Sequence, residues 1–122
     1  MRKNILMVED DERVRRIMKM LLGNEKFNID EVQDGGEALS MLEKGTYDLV
    51  ILDLMLPHVD GLTVLKSIRS NPSTEELPVI IVSGKGQDKD ILEGYKGKAN
   101  YYITKPFEPE ELIDSIGLIL KV

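Results

Sequence analysis

Short apolar runs alternate along the chain with segments in which apolar residues recur at helical spacing. Runs of about four apolar or β-favouring residues, bounded by polar or turn residues, are typical of buried parallel strands. Four such runs predict strands at 5–8, 48–52, 79–82 and 101–104. A less apolar stretch predicts a further strand at 27–32.

Between and after these runs, the spacing of apolar residues predicts helices. They fall at 14–22, 38–42, 62–68, 88–96 and from 108 to 120. Regular alternation of strand and helix, joined by right-handed crossovers, predicts an α/β fold with helices on both faces of a parallel sheet. We therefore expect one domain, 1–122, with a doubly wound, flavodoxin-like sheet of strand order 2-1-3-4-5.

Composition narrows the classes of function. The net charge of −6 argues against direct nucleic-acid binding, which needs clustered basic residues. The chain has no cysteine, which excludes thiol catalysis and zinc–thiolate sites. No apolar stretch approaches membrane-spanning length, and the N-terminus does not resemble a signal peptide. We expect a cytoplasmic protein without membrane contact.

Polar residues with chemical potential follow four of the predicted strands. Glu9 and Asp10 follow the first strand, Asp53 the third, Ser83 the fourth and Lys105 the fifth. In an open parallel sheet, functional groups gather beyond the carboxyl ends of the strands. These side chains are therefore expected to meet at one edge of the sheet.

Their chemistry favours phosphoryl transfer. Carboxylates held close together repel one another, and a hard cation such as Mg²⁺, with Mn²⁺ as a substitute, relieves that repulsion. Asp53 could accept a phosphoryl group as an aspartyl phosphate. The ammonium of Lys105 and the hydroxyl of Ser83 could then stabilise the phosphoryl oxygens.

An ordered set of motifs runs through nearly the whole chain. It comprises Ile5-Leu6-Met7-Val8-Glu9-Asp10-Asp11, Asp53-Leu54-Met55-Leu56-Pro57 with Asp60-Gly61, Pro78 to Ser83, and Lys105-Pro106-Phe107. With these motifs the chain resembles the receiver domains of response regulators in two-component signalling. Each motif alone is weak, whereas their order and spacing together are specific.

The resemblance implies a role for each matching residue. It makes Asp53 the phosphoacceptor, Glu9 and Asp10 the acidic pair, and the Met55 backbone carbonyl a further metal ligand. Ser83 matches the switch hydroxyl, and Lys105 matches the family's lysine and is followed by a cis Pro106. Tyr102 matches the aromatic switch residue.

The same resemblance implies partners and excludes most catalysis. A receiver takes its phosphoryl group from a histidine kinase or a histidine phosphotransfer protein. It assists only its own phosphorylation and dephosphorylation and is not otherwise an enzyme. It signals through a downstream protein or through an output domain removed from the chain, and dimerisation on phosphorylation stays open.

Several positions depart from the commonest family pattern, among them Lys85, which stands two residues after the switch hydroxyl where an acid or amide is often found. Met55, two residues after Asp53, offers no polar side chain to orient an attacking water, which suggests slow dephosphorylation. Lys98-Ala99 stands where the family usually has Gly-Ala, so the end of the fourth helix is expected to differ.

Three other functions compete with this interpretation. A pseudo-receiver would dock partners without phosphorylation. A phosphatase with an aspartate nucleophile usually carries a second Asp where this chain has Met55. A flavodoxin would need a phosphate-binding first loop, which the acidic 9–12 segment would oppose.

Overall fold

The computed structural model describes residues 2–122 and contains five strands and five helices in strict alternation. The strands are β1 (Lys3–Val8), β2 (Phe27–Val32), β3 (Leu49–Leu52), β4 (Val79–Ser83) and β5 (Tyr101–Thr104). The helices are α1 (Glu12–Leu22), α2 (Gly35–Lys44), α3 (Gly61–Ser70), α4 (Asp88–Lys96) and α5 (Pro109–Leu120).

All strands pair in parallel, in the order β2-β1-β3-β4-β5, which confirms the predicted doubly wound topology. Alternate strand residues point to opposite faces, and each face carries its own apolar core. In β1, Leu6 belongs to the core beneath α2, α3 and α4, while Met7 belongs to the core beneath α1 and α5. Burial on both faces explains why the central strands are almost entirely apolar.

Aspartates begin the first three helices. The side chains of Asp11, Asp34 and Asp60 accept hydrogen bonds from backbone amides in the first turns of α1, α2 and α3. Each such cap stabilises a helix by roughly 1 kcal/mol. Asp11 is thus the N-cap of α1, and Asp60 begins α3 directly after the β3–α3 loop.

The end of α4 differs from a simple glycine stop. Gly97 has an ordinary φ of −76°, and the left-handed position is taken by Lys98, at φ 69°. The guanidinium of Arg69 donates to the Lys98 carbonyl at 2.9 and 3.1 Å and to the Leu77 carbonyl at 2.7 Å. Arg69 therefore joins the α4–β5 turn to the segment that enters β4.

No helix within residues 2–122 combines the length and the apolar character that crossing a membrane would require.

Candidate functional site

The carboxyl ends of β1, β3, β4 and β5 bring the predicted polar residues to one edge of the sheet. Glu9 and Asp53 directly follow two neighbouring strands, which pair through Val8 and Leu52. Ser83 is the last residue of β4, and its carbonyl accepts a hydrogen bond from the Lys105 amide at 2.9 Å. Residues separated by up to 96 positions thus share one site.

Lys105 connects the two buried carboxylates. Its Nζ atom lies 2.6 Å from Glu9 Oε1 and 2.9 Å from Asp53 Oδ2. Glu9 is only 1% exposed and Asp53 only 4% exposed, so both carboxylates are largely removed from water. Because buried carboxylates are costly without a partner, the shared ammonium is what makes this pair tolerable.

Backbone amides donate hydrogen bonds to the other oxygen of each carboxylate. Asp11 N donates to Glu9 Oε2 at 3.1 Å, and Met55 N donates to Asp53 Oδ1 at 2.9 Å. Among the described residues, no buried side-chain nitrogen or oxygen lacks a hydrogen-bond partner. The two carboxylates are therefore held in defined orientations, as a preorganised site requires.

The environment changes the acidity of Glu9. Burial raises its pKa from 4.5 to about 7; the hydrogen bond from Lys105 opposes this rise, and the neighbouring Asp53 charge adds to it. Burial acts to lower the pKa of Lys105, but its bonds to Asp53 and Glu9 leave that pKa above the ordinary value. The lysine therefore stays charged while Glu9 titrates near neutral pH.

The raised pKa of Glu9 predicts a pH dependence of stability. The folded chain retains a proton on Glu9 that the unfolded chain releases near its ordinary pKa of 4.5. The stabilisation present below that pH is therefore lost as the pH rises through about 7. We expect urea unfolding to report a decrease of roughly 1–3 kcal/mol between pH 5 and pH 8.

Glu9→Gln provides the control for this prediction, because an amide does not titrate. The variant should lack the Glu9 component and show a flatter dependence on pH. If wild type and Glu9→Gln lose stability in parallel between these pH values, Glu9 does not titrate in this range.

Three carboxylates could bind a cation together. One oxygen from each of Glu9, Asp10 and Asp53 lies within 4.8 Å of the others. Asp10 is exposed, so this group of ligand atoms is open to solvent on one side. Hard oxygen donors, with room for water, match the preference of Mg²⁺ and Mn²⁺.

Ser83 and Tyr102 lie beside this site and are connected through the β4–α4 loop. Lys85 N donates to Ser83 Oγ at 3.3 Å, and the Tyr102 hydroxyl donates to the Lys85 carbonyl. Tyr102 is 7% exposed, whereas Tyr101 is 36% exposed. A Cβ atom on Gly94 would lie 2.8 Å from the Tyr102 ring, so glycine in α4 makes room for the buried tyrosine.

Sequence reasoning missed two residues that shape the site. Arg15 of α1 donates from Nη1 to the Glu9 carbonyl at 2.8 Å. Gly61 packs so closely on the β3–α3 loop that its Cβ would lie 2.3 Å from the Asp53 carbonyl oxygen. The sequence places Gly61 in the Asp60-Gly61 motif but gives no sign of this close packing, and nothing in it marks Arg15 as different from the neighbouring arginines.

Comparisons with known proteins agree with this architecture. The family model described as the response regulator receiver domain matches residues 5–117. The transcriptional regulatory protein ResD of Bacillus subtilis (strain 168) is 37% identical over 117 residues, which cover 96% of this chain and 48% of ResD. The chain thus spans about half the length of the curated relatives it matches.

Solved structures show the same similarity. A putative response regulator from Chloroflexus aurantiacus J-10-fl has a TM-score of 0.93 and 32% identity, with all of both chains covered. The Mn²⁺-bound form of the response regulator Rcp1 has a TM-score of 0.81 and 27% identity, covering 98% of this chain and 90% of the other. By its motifs, its fold and these similarities, the chain belongs to the response regulator receiver domains of two-component signalling.

Proposed function

We propose that this receiver domain, 1–122, accepts a phosphoryl group on Asp53 from a phosphohistidine donor and thereby changes a surface that binds a partner. The single observation that carries the proposal is the contact of one ammonium, from Lys105, with both buried carboxylates. A structural ion pair needs one carboxylate for one lysine. A second carboxylate, with an exposed third beside it, suits a site that also receives a cation.

The donor set supports a divalent cation as cofactor. Glu9, Asp10 and Asp53 would hold Mg²⁺, or Mn²⁺ in its place, with the Met55 carbonyl as a further predicted ligand. The similar response regulator Rcp1 has been solved in an Mn²⁺-bound form. When bound, the cation would neutralise charge on the phosphoryl oxygens and on the carboxylates.

The protein's own residues would orient the transfer. An oxygen of Asp53 would attack phosphorus and form the O–P bond, while the P–N bond to the donor histidine breaks and its electron pair leaves on the imidazole nitrogen. Met55 N–H holds one Asp53 oxygen during this step. Lys105 lies close enough to move from the carboxylate to a phosphoryl oxygen, where its charge stabilises the transition state.

Ser83 and Tyr102 would convert this chemistry into a signal. A phosphoryl group on Asp53 would attract the Ser83 hydroxyl, whose oxygen accepts a hydrogen bond from the Lys85 amide in the present structure. Because the Tyr102 hydroxyl donates a hydrogen bond to the Lys85 carbonyl, movement of the β4–α4 loop would change the position of the Tyr102 side chain. Phosphorylation would thereby bias an equilibrium between two arrangements of this loop and ring.

The partners follow from the family. A histidine kinase or a histidine phosphotransfer protein would supply the phosphoryl group, and a downstream protein or an output domain would read the switched surface. Because the relative ResD is named a transcriptional regulatory protein, we include control of transcription among the outputs. We propose no turnover beyond the domain's own phosphorylation and dephosphorylation.

Intact mass tests the proposal directly. The chain is incubated with acetyl phosphate, with and without Mg²⁺, beside Asp53→Asn. We expect one added phosphoryl group that requires Mg²⁺ and is absent from the variant. If a purified cognate phosphohistidine donor also fails to modify Asp53, the domain is a docking pseudo-receiver; turnover of a generic phosphomonoester would instead indicate a phosphatase.

Met55 leads to a prediction about the lifetime of the aspartyl phosphate. Its side chain is 56% exposed and has no group that could orient a water for attack on phosphorus. An amide at this position could hold such a water, so we expect Met55→Asn to accelerate dephosphorylation about tenfold. Decay of the phosphorylated mass after removal of acetyl phosphate measures the rate, and Met55→Leu is the apolar control. Equal rates for all three chains would contradict the prediction.

A further inference from the structure

Arg15 reaches from α1 back to the acidic end of β1. Its Nη1 atom donates to the Glu9 carbonyl at 2.8 Å, and its side chain is only 11% exposed. That carbonyl belongs to the peptide that joins Glu9 to Asp10. The arginine therefore bonds the backbone between two predicted cation ligands and touches neither carboxylate.

The other backbone group of Glu9 is also held. Glu9 N donates to the Val32 carbonyl at 3.1 Å, so the N–H is fixed by β2 and the C=O by α1. The exposed Asp10 carboxylate receives no hydrogen bond from another side chain within residues 2–122. Its position consequently depends on the backbone that carries it, which Arg15 holds at the Glu9 carbonyl and Glu9 Oε2 holds at the Asp11 amide.

Glu31 of β2 holds the arginine in this orientation. Its Oε1 accepts from Arg15 Nε at 3.2 Å, and its Oε2 accepts from Lys19 Nζ at 2.6 Å. Arg15 thus uses two sides of its planar guanidinium at once, which a lysine cannot do. Glu31 also balances the positive charge that would otherwise oppose a cation bound nearby.

We propose that Arg15 is a positioning residue that raises the affinity of the site for a divalent cation by fixing the Glu9–Asp10 peptide. The inference rests on the proposed function, because it assumes that Glu9, Asp10 and Asp53 bind the cation. Residues that orient metal ligands typically contribute a factor of about 10–100 to metal affinity. Arg15 acts on the backbone of the ligands, so we expect the lower part of that range.

The test is titration of the full chain with Mn²⁺. Electron paramagnetic resonance measures binding as the loss of the signal of free Mn²⁺. Arg15→Ala should raise Kd about tenfold, and Arg15→Lys, which keeps a donor without the fork, should fall between it and wild type. Arg16→Ala is the matched control, because Arg16 lies beside Arg15 and, within residues 2–122, forms an ion pair only with the exposed Glu12, at 3.4 Å. The control should bind Mn²⁺ within about twofold of wild type.

A second readout separates positioning from general stabilisation. If Arg15 acts through the cation, phosphorylation of Arg15→Ala should need about tenfold more Mg²⁺ and approach the wild-type rate at saturation. A merely structural role would lower the melting temperature and leave the Mn²⁺ Kd unchanged. If Arg15→Ala fails to fold, Arg15→Lys and Glu31→Gln test the same inference, and we expect both to bind Mn²⁺ more weakly than wild type.

Asp10→Asn distinguishes the two possible failures. If wild type does not bind Mn²⁺, or binds it equally after Asp10→Asn, the proposed cation site is wrong and the role of Arg15 with it. If Asp10→Asn weakens binding as expected while Arg15→Ala, Arg15→Lys and Glu31→Gln all bind like wild type, only the inference about Arg15 is overturned.

Discussion

Replacement of Lys105 by methionine should slow phosphorylation of Asp53 by acetyl phosphate at least about 100-fold at saturating Mg²⁺. The ammonium lies 2.9 Å from Asp53 Oδ2, within reach of an oxygen on an attached phosphoryl group. Loss of one preorganised donor to developing negative charge commonly costs this much rate. Methionine keeps much of the length of the side chain, so the change removes charge more than packing.

The same variant should lose stability in a pH-dependent way. Glu9 and Asp53 would lose the Lys105 ammonium that they share. At pH 8 this loss should lower the free energy of unfolding by about 3 kcal/mol. At pH 5 the loss should be smaller, because Glu9, with its pKa of about 7, is then largely protonated. Urea unfolding at both values of pH measures the difference, and the phosphorylation rate is compared under conditions in which the variant is folded.

Lys66→Met is a suitable control, because Lys66 is exposed on α3 and takes no part in the contact between Lys105 and the two carboxylates. It should leave both the rate and the pH dependence as in wild type. If Lys105→Met were phosphorylated as fast as wild type, Lys105 would be a structural counter-ion only, and the proposed transfer mechanism would lose its electrophilic group.

The fold was predictable because strand burial leaves a strong signal in the sequence. The run Val79–Val82 is apolar throughout because both faces of β4 are covered, and the structure adds only Ser83 to the predicted strand. The helix predicted at 88–96 is also confirmed, although Gly94 lowers its intrinsic propensity. The structure explains that glycine, since the ring of Tyr102 packs where a side chain would be.

The gathering of Glu9, Asp53, Ser83 and Lys105 was predictable from topology alone. Once strand order is known, the residues after neighbouring strands must lie close together. The pattern of hydrogen bonds among these residues was not predictable, because a sequence does not show that Lys105 reaches Glu9 as well as Asp53. Bonds of that kind depend on side-chain direction at distances of about 3 Å, which periodicity does not encode.

Arg15 and Lys98 show where sequence reasoning reaches its limit. Arg15 is one of several arginines in α1, and only the packing of α1 against β2 selects it for the Glu9 carbonyl. At the end of α4, glycine rules favour Gly97 for the left-handed position, yet Lys98 adopts it. The bonds from Arg69 to the Lys98 carbonyl, which depend on the tertiary fold, accompany that local exception.

Gly61→Ala should have the largest effect of any single added methyl group near the site. A Cβ atom at this position would lie 2.3 Å from the Asp53 carbonyl oxygen and 2.5 Å from Leu54 Cα. Both neighbours are backbone atoms of the segment that follows β3, so they cannot turn aside as a side chain could. Gly61 is not in the left-handed region, which means that close approach, and not φ, requires the glycine.

The expected result of Gly61→Ala is a loss of about 3 kcal/mol in the free energy of unfolding, measured by urea titration. Gly36→Ala is the matched control: Gly36 lies in the first turn of α2, where the only described atom within 4 Å of a Cβ would be Asp34 Oδ1, at 3.4 Å. That variant should be as stable as wild type or more stable by up to about 1 kcal/mol, because alanine favours helix.

A second consequence of Gly61→Ala concerns the site. To relieve the contact, either α3 moves outward or the Asp53–Leu54 peptide shifts, and the second response displaces Asp53 from Lys105. Misplacement of about 1 Å can cost a factor of about 100 in rate, so phosphorylation of the folded variant should slow. Wild-type stability together with a wild-type rate would show that the β3–α3 loop yields freely, and that Asp53 is held by its hydrogen bonds and not by the packing of α3.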